Sequence, residues 1–293
     1  MKRFLTTLTL SVIASSLVFS SFAFATTYPL TLKDDLNRTV VINAEPKRII
    51  SLLPSHTETV FALGAGQTIV GRDDFSDYPA EVTSLPKVGG LYNPNLEAII
   101  ALKPDLVLNS EYGDLTPKLE KAGITVWAGS AQTFDDVFET ISVIGKIINR
   151  ETAASNLNTR IKSEVREVEI VTRNIKKTSV YYEIDPTPYS VGPNSFIGVL
   201  LTKAGGLNII PKELGDFPKI SPELVVQQNP AVIIGVGCAE AAKRPGWASL
   251  SAVKSNRCYT LTREQDNLVN RPGPRIGQGL KVLAKFINPD LFR

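Results

Sequence analysis

Hydrophobic positions along the chain alternate between short continuous apolar runs and stretches where apolar residues recur every three or four places. Residues 48–53 (RIISLL) read as a strand buried on both faces, ended by Pro54. Ser55, His56, Thr57 and Glu58 have the form of a capping box: the Ser hydroxyl caps the third helical amide and the Glu carboxylate reaches back. The helix so opened is expected to reach Leu63 and stop at Gly64, Ala65 and Gly66. Further strands are expected at 68–71, 106–109, 125–128, 179–184, 232–236 and 258–261. Strands alternating with helical stretches predict an α/β protein with parallel sheets.

An internal repeat divides this alternation. Residues 95–108 (NLEAIIALKPDLVL) can be laid on residues 221–234 (SPELVVQQNPAVII). A helix-capping residue opens each copy, Asn95 or Ser221. Glu97 and Glu223 coincide, as do Pro104 and Pro230, and an apolar strand follows each proline. Two related lobes are therefore expected: 26–133 and 178–293, with a helical segment at 134–177 between them. In that segment Ala153, Leu157, Ile161, Val165, Val168 and Val171 form one apolar stripe at helical spacing. A helix of about 24 residues would reach ~36 Å, the width of a small domain. Such a rigid connection limits hinge motion, as a short Gly- or Ser-rich linker would not.

Composition narrows the class. With 43% apolar and 21% charged residues the chain is not disordered. A net charge of +3 leaves no nucleic-acid footprint. One His and two Cys exclude a zinc finger, an iron–sulfur protein or a multi-His zinc site. Lys2 and Arg3, the uncharged apolar run 4–24 and Ala23-Phe24-Ala25 have the form of a secretory signal peptide cleaved after Ala25. The alternative for such a run is a membrane anchor. Export to the periplasm would permit a disulfide. Cys238 and Cys258 are nevertheless expected to stay apart: one follows the 232–236 strand and the other begins the next, at opposite ends of parallel neighbours.

Catalytic chemistry finds little to work with. The single His sits in the capping box, where an exposed first-turn residue is expected, so neither a Ser–His–Asp triad nor a Cys–His pair can be assembled. No phosphate-binding Gly-x-x-x-x-Gly-Lys-Ser/Thr loop exists. Asp73, Asp74 and Asp77 match no calcium loop and are expected to cap a turn. Binding is better provided for. Phe75, Tyr78, Tyr92, Tyr112, Tyr189 and Phe217 lie in Pro- and Gly-rich loops after strands, where parallel α/β sheets form their ligand crevice. There, flat aromatic faces can cover a large planar ligand.

The chain resembles the helical-backbone substrate-binding proteins of ABC importers, which take up vitamin B12, haem and iron–siderophores. The resemblance rests on RIISLLPSHTETVFALGAG (48–66), Val70-Gly71, FSDYP (75–79), Asn95-Leu96-Glu97, LKPDL (102–106) and RPGPR (271–275), and it covers about residues 47–288. It implies two Rossmann-like lobes with mostly parallel sheets, joined by a long rigid helix, with the ligand clamped between them. The Ser-Asp-Tyr-Pro form is most similar to the cobalamin carriers of the family. By position Phe75, Leu91, Tyr92, Tyr189 and Phe217 would flank the corrin, and Arg271 would face its side groups. Asn194, Asp266, Asn267 and Asn270 would serve its amides and nucleotide loop. Two places where the family carries Trp fall near Leu91 and Ser110 here, which implies either a looser pocket or substitution by Tyr92 and Tyr112. The cobalt arrives held by its corrin and needs no protein ligand. Haem is the alternative, with Tyr78 as the iron ligand, and a siderophore the next. The resemblance further implies a monomeric carrier without enzymatic activity or a cofactor of its own. Its Glu97 and Glu223 would each form a salt bridge with Arg on one of two symmetric membrane subunits. A secreted hydrolase or chelatase is the reading from another class.

Overall fold

The computed structural model describes residues 25–292. Of the segment 1–25 read as a signal peptide, residues 1–24 lie outside them. The first element is an antiparallel hairpin, β1 (Leu30–Lys33) with β2 (Thr39–Ile42), whose four-residue strands alternate inward and outward side chains. Its turn is tied down by Asp34, whose carboxylate accepts from the Leu36 and Arg38 amides.

The first lobe follows. It contains β3 (Ile49–Ser51), α1 (Pro54–Ala62), β4 (Ile69–Arg72), the small β5 (Gly89–Gly90) and β6 (Asn93–Pro94), α2 (Leu96–Ala101), β7 (Leu106–Asn109), α3 (Leu115–Lys121) and β8 (Val126–Ala128). Its sheet is wholly parallel, ordered β4-β3-β7-β8. Helices α4 (Asp136–Ile147) and α5 (Glu151–Thr172) lead to the second lobe. There β9 (Thr178–Asp185), β10 (Tyr189–Ser190), α6 (Phe196–Lys203), β11 (Gly206–Asn208), α7 (Pro222–Gln228), β12 (Val232–Ile234), α8 (Cys238–Ala241), α9 (Ser251–Lys254) and β13 (Cys258–Tyr259) precede α10 (Arg263–Asn270) and α11 (Ile276–Ile287). Strands β11, β9, β12 and β13 lie side by side in parallel, and β10 turns back antiparallel on β9. Both lobes thus order their strands second, first, third, fourth. The two copies of the sequence repeat are α2–β7 and α7–β12, at the same place in each sheet.

One buried apolar cluster runs from Ile49 and Leu106, through Ile141 and Ile144 of α4 and Leu157, Ile161 and Val165 of α5, to Val232, Ile234 and Leu280. Helix α5 therefore belongs to the cores of both lobes. Each such side chain contributes about 1.5–3 kcal/mol by leaving water. The stripe that enters the core is displaced at both ends from the expected one: Ala154 and Thr172 are buried, whereas Val171 is 39% exposed. An α-helix turns once in about 3.6 residues, so a stripe followed by fixed steps drifts around it.

Three local expectations are corrected. Pro54 is not a strand terminator but the first residue of α1; Leu53 is its N-cap and no side chain caps it. A proline suits this position because its φ is preset and its missing N–H would be unpaired anyway. The shift moves Glu58 out of any capping box and into the second turn. It also buries His56, which is fully enclosed rather than exposed and packs its ring against Trp127 with centroids 5.6 Å apart. Finally, Cys238 and Cys258 form a disulfide. Strand β12 ends at Ile234, and Cys258 pairs beside Ile233. The chain then reverses through Gly235, whose φ of +106° and close approach to the Glu183 carbonyl only glycine tolerates. That reversal drops Cys238 back alongside Cys258.

Candidate ligand cleft

In each lobe the loops at the carboxyl ends of the parallel strands carry the residues singled out in the sequence. The loop after β4 is rigidly built. Buried Asp73 accepts from the amides of Phe75 (2.7 Å) and Ser76 (3.1 Å) and from the Ser76 hydroxyl. Ser76 meets Thr57 of α1 at 2.9 Å, and Thr57 donates to Ser51 of β3 at 2.8 Å. Arg72, also buried, donates to the Asp73 and Ser76 carbonyls. Burial pushes the Asp73 carboxyl up, partly offset by these donors. Asp73 caps the turn as expected. The result is a fixed loop that holds the Phe75 ring out, 66% exposed.

Around Phe75 stand the other first-lobe candidates. A Cβ on Gly90 would lie 3.4 Å from the Phe75 ring, and one on Gly113 would lie 4.0 Å from the Leu91 carbonyl, so the three loops adjoin. Tyr92 is 94% exposed. The Tyr112 hydroxyl donates to Gln132 at 3.0 Å, and burial with the neighbouring Glu111 and Tyr92 raises its pKa. On the second lobe, Tyr189 of β10 pairs with Lys219, and Ser190 donates to the Pro218 carbonyl. These bonds place Tyr189 and Phe217 on adjoining antiparallel segments, both exposed. Asn194 is exposed in the loop before α6.

The floor between the lobes is an ionic cluster that sequence reasoning did not assemble. Buried Glu58 accepts from Arg271 Nη1 at 2.8 Å and from Arg275 Nε and Nη2, both at 2.7 Å. Arg271 also pairs with Asp77 at 2.9 Å and donates to the Phe75 carbonyl at 3.0 Å. Arg263 meets Asp77 at 2.7 Å, and Asn267 reaches it at 3.4 Å. Burial pushes the Asp77 carboxyl up, but Arg271 and Arg263 outweigh it and hold it below the usual carboxylate range. The Arg275 guanidinium lies 3.8 Å above the Tyr78 ring. Asp77 therefore bridges lobes rather than capping a turn. Arg271, expected to face the ligand's side groups, is tied to the opposite lobe through three acceptors. Asp266 accepts from Asn270 at 2.6 Å, and burial raises its pKa. Asn270 in turn accepts from the Tyr182 hydroxyl at 2.9 Å.

The fold thus gathers Phe75, Tyr78, Asn267 and Arg271 at one junction, with Asp266 nearby. Leu91, Tyr92 and Tyr112 rim the first lobe, and Tyr189 and Phe217 the second. Glu97 and Glu223 stand apart from the cleft floor, exposed in the first turns of α2 and α7 and, among the described residues, without an ion pair. Their N-caps are as expected: Asn95 accepts from the Ala98 amide at 2.9 Å and Ser221 from the Leu224 amide at 3.3 Å. Among the residues missed, Glu58 and Arg275 carried one signal: a charge that the fold buries must find a partner of opposite sign. Among the described residues no group of three or more His, Cys, Asp or Glu is placed to hold a metal ion. No helix among them is long and apolar enough to cross a membrane.

Two lobes of matching topology and a shared helix through both cores are the architecture of a two-lobed solute-binding protein. The comparisons with known proteins agree. Residues 49–264 match the family model described as periplasmic binding protein, and the chain belongs to that family. An ABC-transporter substrate-binding lipoprotein of Bacillus subtilis is 36% identical over 280 residues, 91% of this chain and 88% of the relative. A cobalamin-binding protein of Halobacterium salinarum is 30% identical over 275 residues, 89% of this chain and 74% of the relative. Among solved structures, a possible iron-binding, periplasmic solute-binding protein from Staphylococcus epidermidis superposes with a TM-score of 0.73 at 31% identity, covering 84% of this chain and all of the other. Members of the family bind solutes and are not enzymes, and they work with the membrane subunits of ABC transporters.

Proposed function

We propose that this protein captures cobalamin, or a closely related corrinoid, between its lobes in the periplasm and delivers it to an ABC importer. The observation that carries the reading is the set of exposed aromatics on each lobe. Phe75, Tyr92 and Tyr112 on one lobe are 66%, 94% and 52% exposed, and Tyr189 and Phe217 on the other are 39% and 54% exposed. Large apolar side chains gathered in the open mark a surface meant to be covered. A broad, largely neutral ring system with amide side groups suits faces above and below and hydrogen-bonding Asn267, Asn270 and Asp266 between them. The cobalamin-binding relative supports the same ligand. Haem is the second reading, favoured by Tyr78: its hydroxyl lies at the junction, the ring is 46% exposed, and no hydrogen bond engages the phenol among the described residues.

Calorimetric titration with cyanocobalamin and with haemin separates the two. Saturable one-to-one binding of cyanocobalamin is expected, weakened by about tenfold or more when Tyr92 and Phe217 are both replaced by Ser. Binding of haemin alone, with a Soret shift abolished by Tyr78→Phe, would replace the cobalamin reading by the haem one.

A further inference from the structure

Outside the cleft, a groove of about 860 Å³ runs between α5 and α6, and none of the cleft residues lines it. Its size falls within the ~300–1,000 Å³ usual for small-molecule sites. Helix α5 presents Arg166, Ile170 and Arg173 along one wall, at steps of four and three that place them on one face. Pro193 and Val199 form the apolar part of the other wall, and Lys177 closes one end. The charges do not cancel. Glu169 is matched by Lys203 at 2.6 Å, and that ammonium also lies over the Phe134 ring. Lys177 donates to the Thr172 and Thr202 carbonyls, which are neutral acceptors at helix ends. Arg166 and Arg173 have no ion pair among the described residues, while Ile170 between them is 53% exposed.

Helix ends explain cations at Arg173 and Lys203, since a helix C-terminus favours positive charge. They do not explain Arg166, nearly two turns inside α5, nor an exposed Ile flanked by two guanidinium groups. We infer that this groove binds a single-chain anionic amphiphile: an acidic head between Arg166 and Arg173, and a hydrocarbon chain along Ile170, Val199 and Pro193. A guanidinium fork donates two parallel bonds to a carboxylate or phosphate head. A bare anion would leave the apolar wall in water, and a neutral detergent would leave both guanidinium groups without an acceptor.

The test is calorimetric titration of the intact protein with dodecanoate, butanoate and dodecyl maltoside, each below its micellar concentration, alongside flotation with phosphatidylglycerol vesicles. One saturable site for dodecanoate is expected, with the other two amphiphiles weaker by about tenfold or more. The Arg166→Gln, Arg173→Gln double variant should lose dodecanoate by a similar factor, and Ile170→Ser should weaken it as well. Replacing Tyr92 and Phe217 by Ser in the cleft should leave dodecanoate binding unchanged. The inference is overturned by any of four results: no saturable binding, equal binding by the double variant, loss in the cleft variant instead, or attachment to vesicles without uptake of the free chain.

Discussion

Glu58→Ala tests whether the lobes are held by the buried ionic floor as well as by α5. The Glu58 side chain is 2% exposed and receives three charge-assisted hydrogen bonds from two arginines that are themselves 12% and 10% exposed. Among the described residues, truncation leaves Arg275 the Tyr78 ring, while Arg271 keeps Asp77 and the Phe75 carbonyl. Removing one partner of a buried pair costs about 3–5 kcal/mol, because the charge left behind is neither solvated nor neutralised. Urea unfolding at neutral pH, followed by the fluorescence of Trp127 and Trp247, measures the loss. Glu58→Gln, which keeps an acceptor and loses the charge, should fall between wild type and Ala. By contrast Arg263→Ala should cost at most about 1 kcal/mol, since that side chain is 80% exposed. Small-angle scattering gives the second readout. Wild-type protein should change little on binding ligand, because a fully bonded helix offers no hinge, and Glu58→Ala should open in the unliganded form. A loss below about 1 kcal/mol with an unchanged scattering curve would refute the reasoning and leave the lobes held by α5 alone.

Three further outcomes follow from other parts of the molecule. Burial pulls the His56 pKa from its ordinary 6.5 down to about 3, so below pH 6.5 the unfolded chain takes up a proton that the folded one refuses. Stability should therefore be full above that pH and fall as pH drops towards 3, by about 1.4 kcal/mol per unit; His56→Leu should remove about 2 kcal/mol of the loss between pH 6.5 and 5, and an identical pH profile would show that His56 titrates normally. The Cys238–Cys258 disulfide closes a separation of 20 residues, so replacing both Cys by Ala should cost about 3 kcal/mol in thermal or urea unfolding, with reductant acting on wild type alone. Glu97→Ala and Glu223→Ala should leave ligand titration unchanged but lower uptake through reconstituted importer, most strongly together; normal uptake by the double variant at limiting ligand would reduce both carboxylates to helix-start residues worth about 0.3–1 kcal/mol each.

Much of this protein was legible in the order of its residues. Short apolar runs such as RIISLL and LVLN, ended by Pro or polar residues, fit strands of a sheet covered on both faces, and each holds one in the fold. The Asn95 and Ser221 repeats announced two lobes because capping and strand formation are local chemistry, settled within a dozen residues. Aromatics in the loops after strands were legible as exposed positions for the same reason. What the sequence left undecided were pairings between distant segments. Glu58 and Arg275 are 217 residues apart, and nothing local to either selects the other; only the docking of α1 against the loop before α11 brings them together. The Glu58 carboxylate read as a cap because a helix start is judged from its neighbours, whereas burial by the second lobe decided that it must face two guanidinium groups. His56 followed the same course: its exposure depended on Trp127, far along the chain. The disulfide depended on where β12 ends and on the reversal at Gly235, a matter of one or two residues that hydrophobic pattern does not resolve. Hydrophobic pattern decides which elements form, because each buries its own face. Tertiary packing decides which charges, rings and sulfurs meet, because only assembled lobes remove the water that would otherwise satisfy each of them alone.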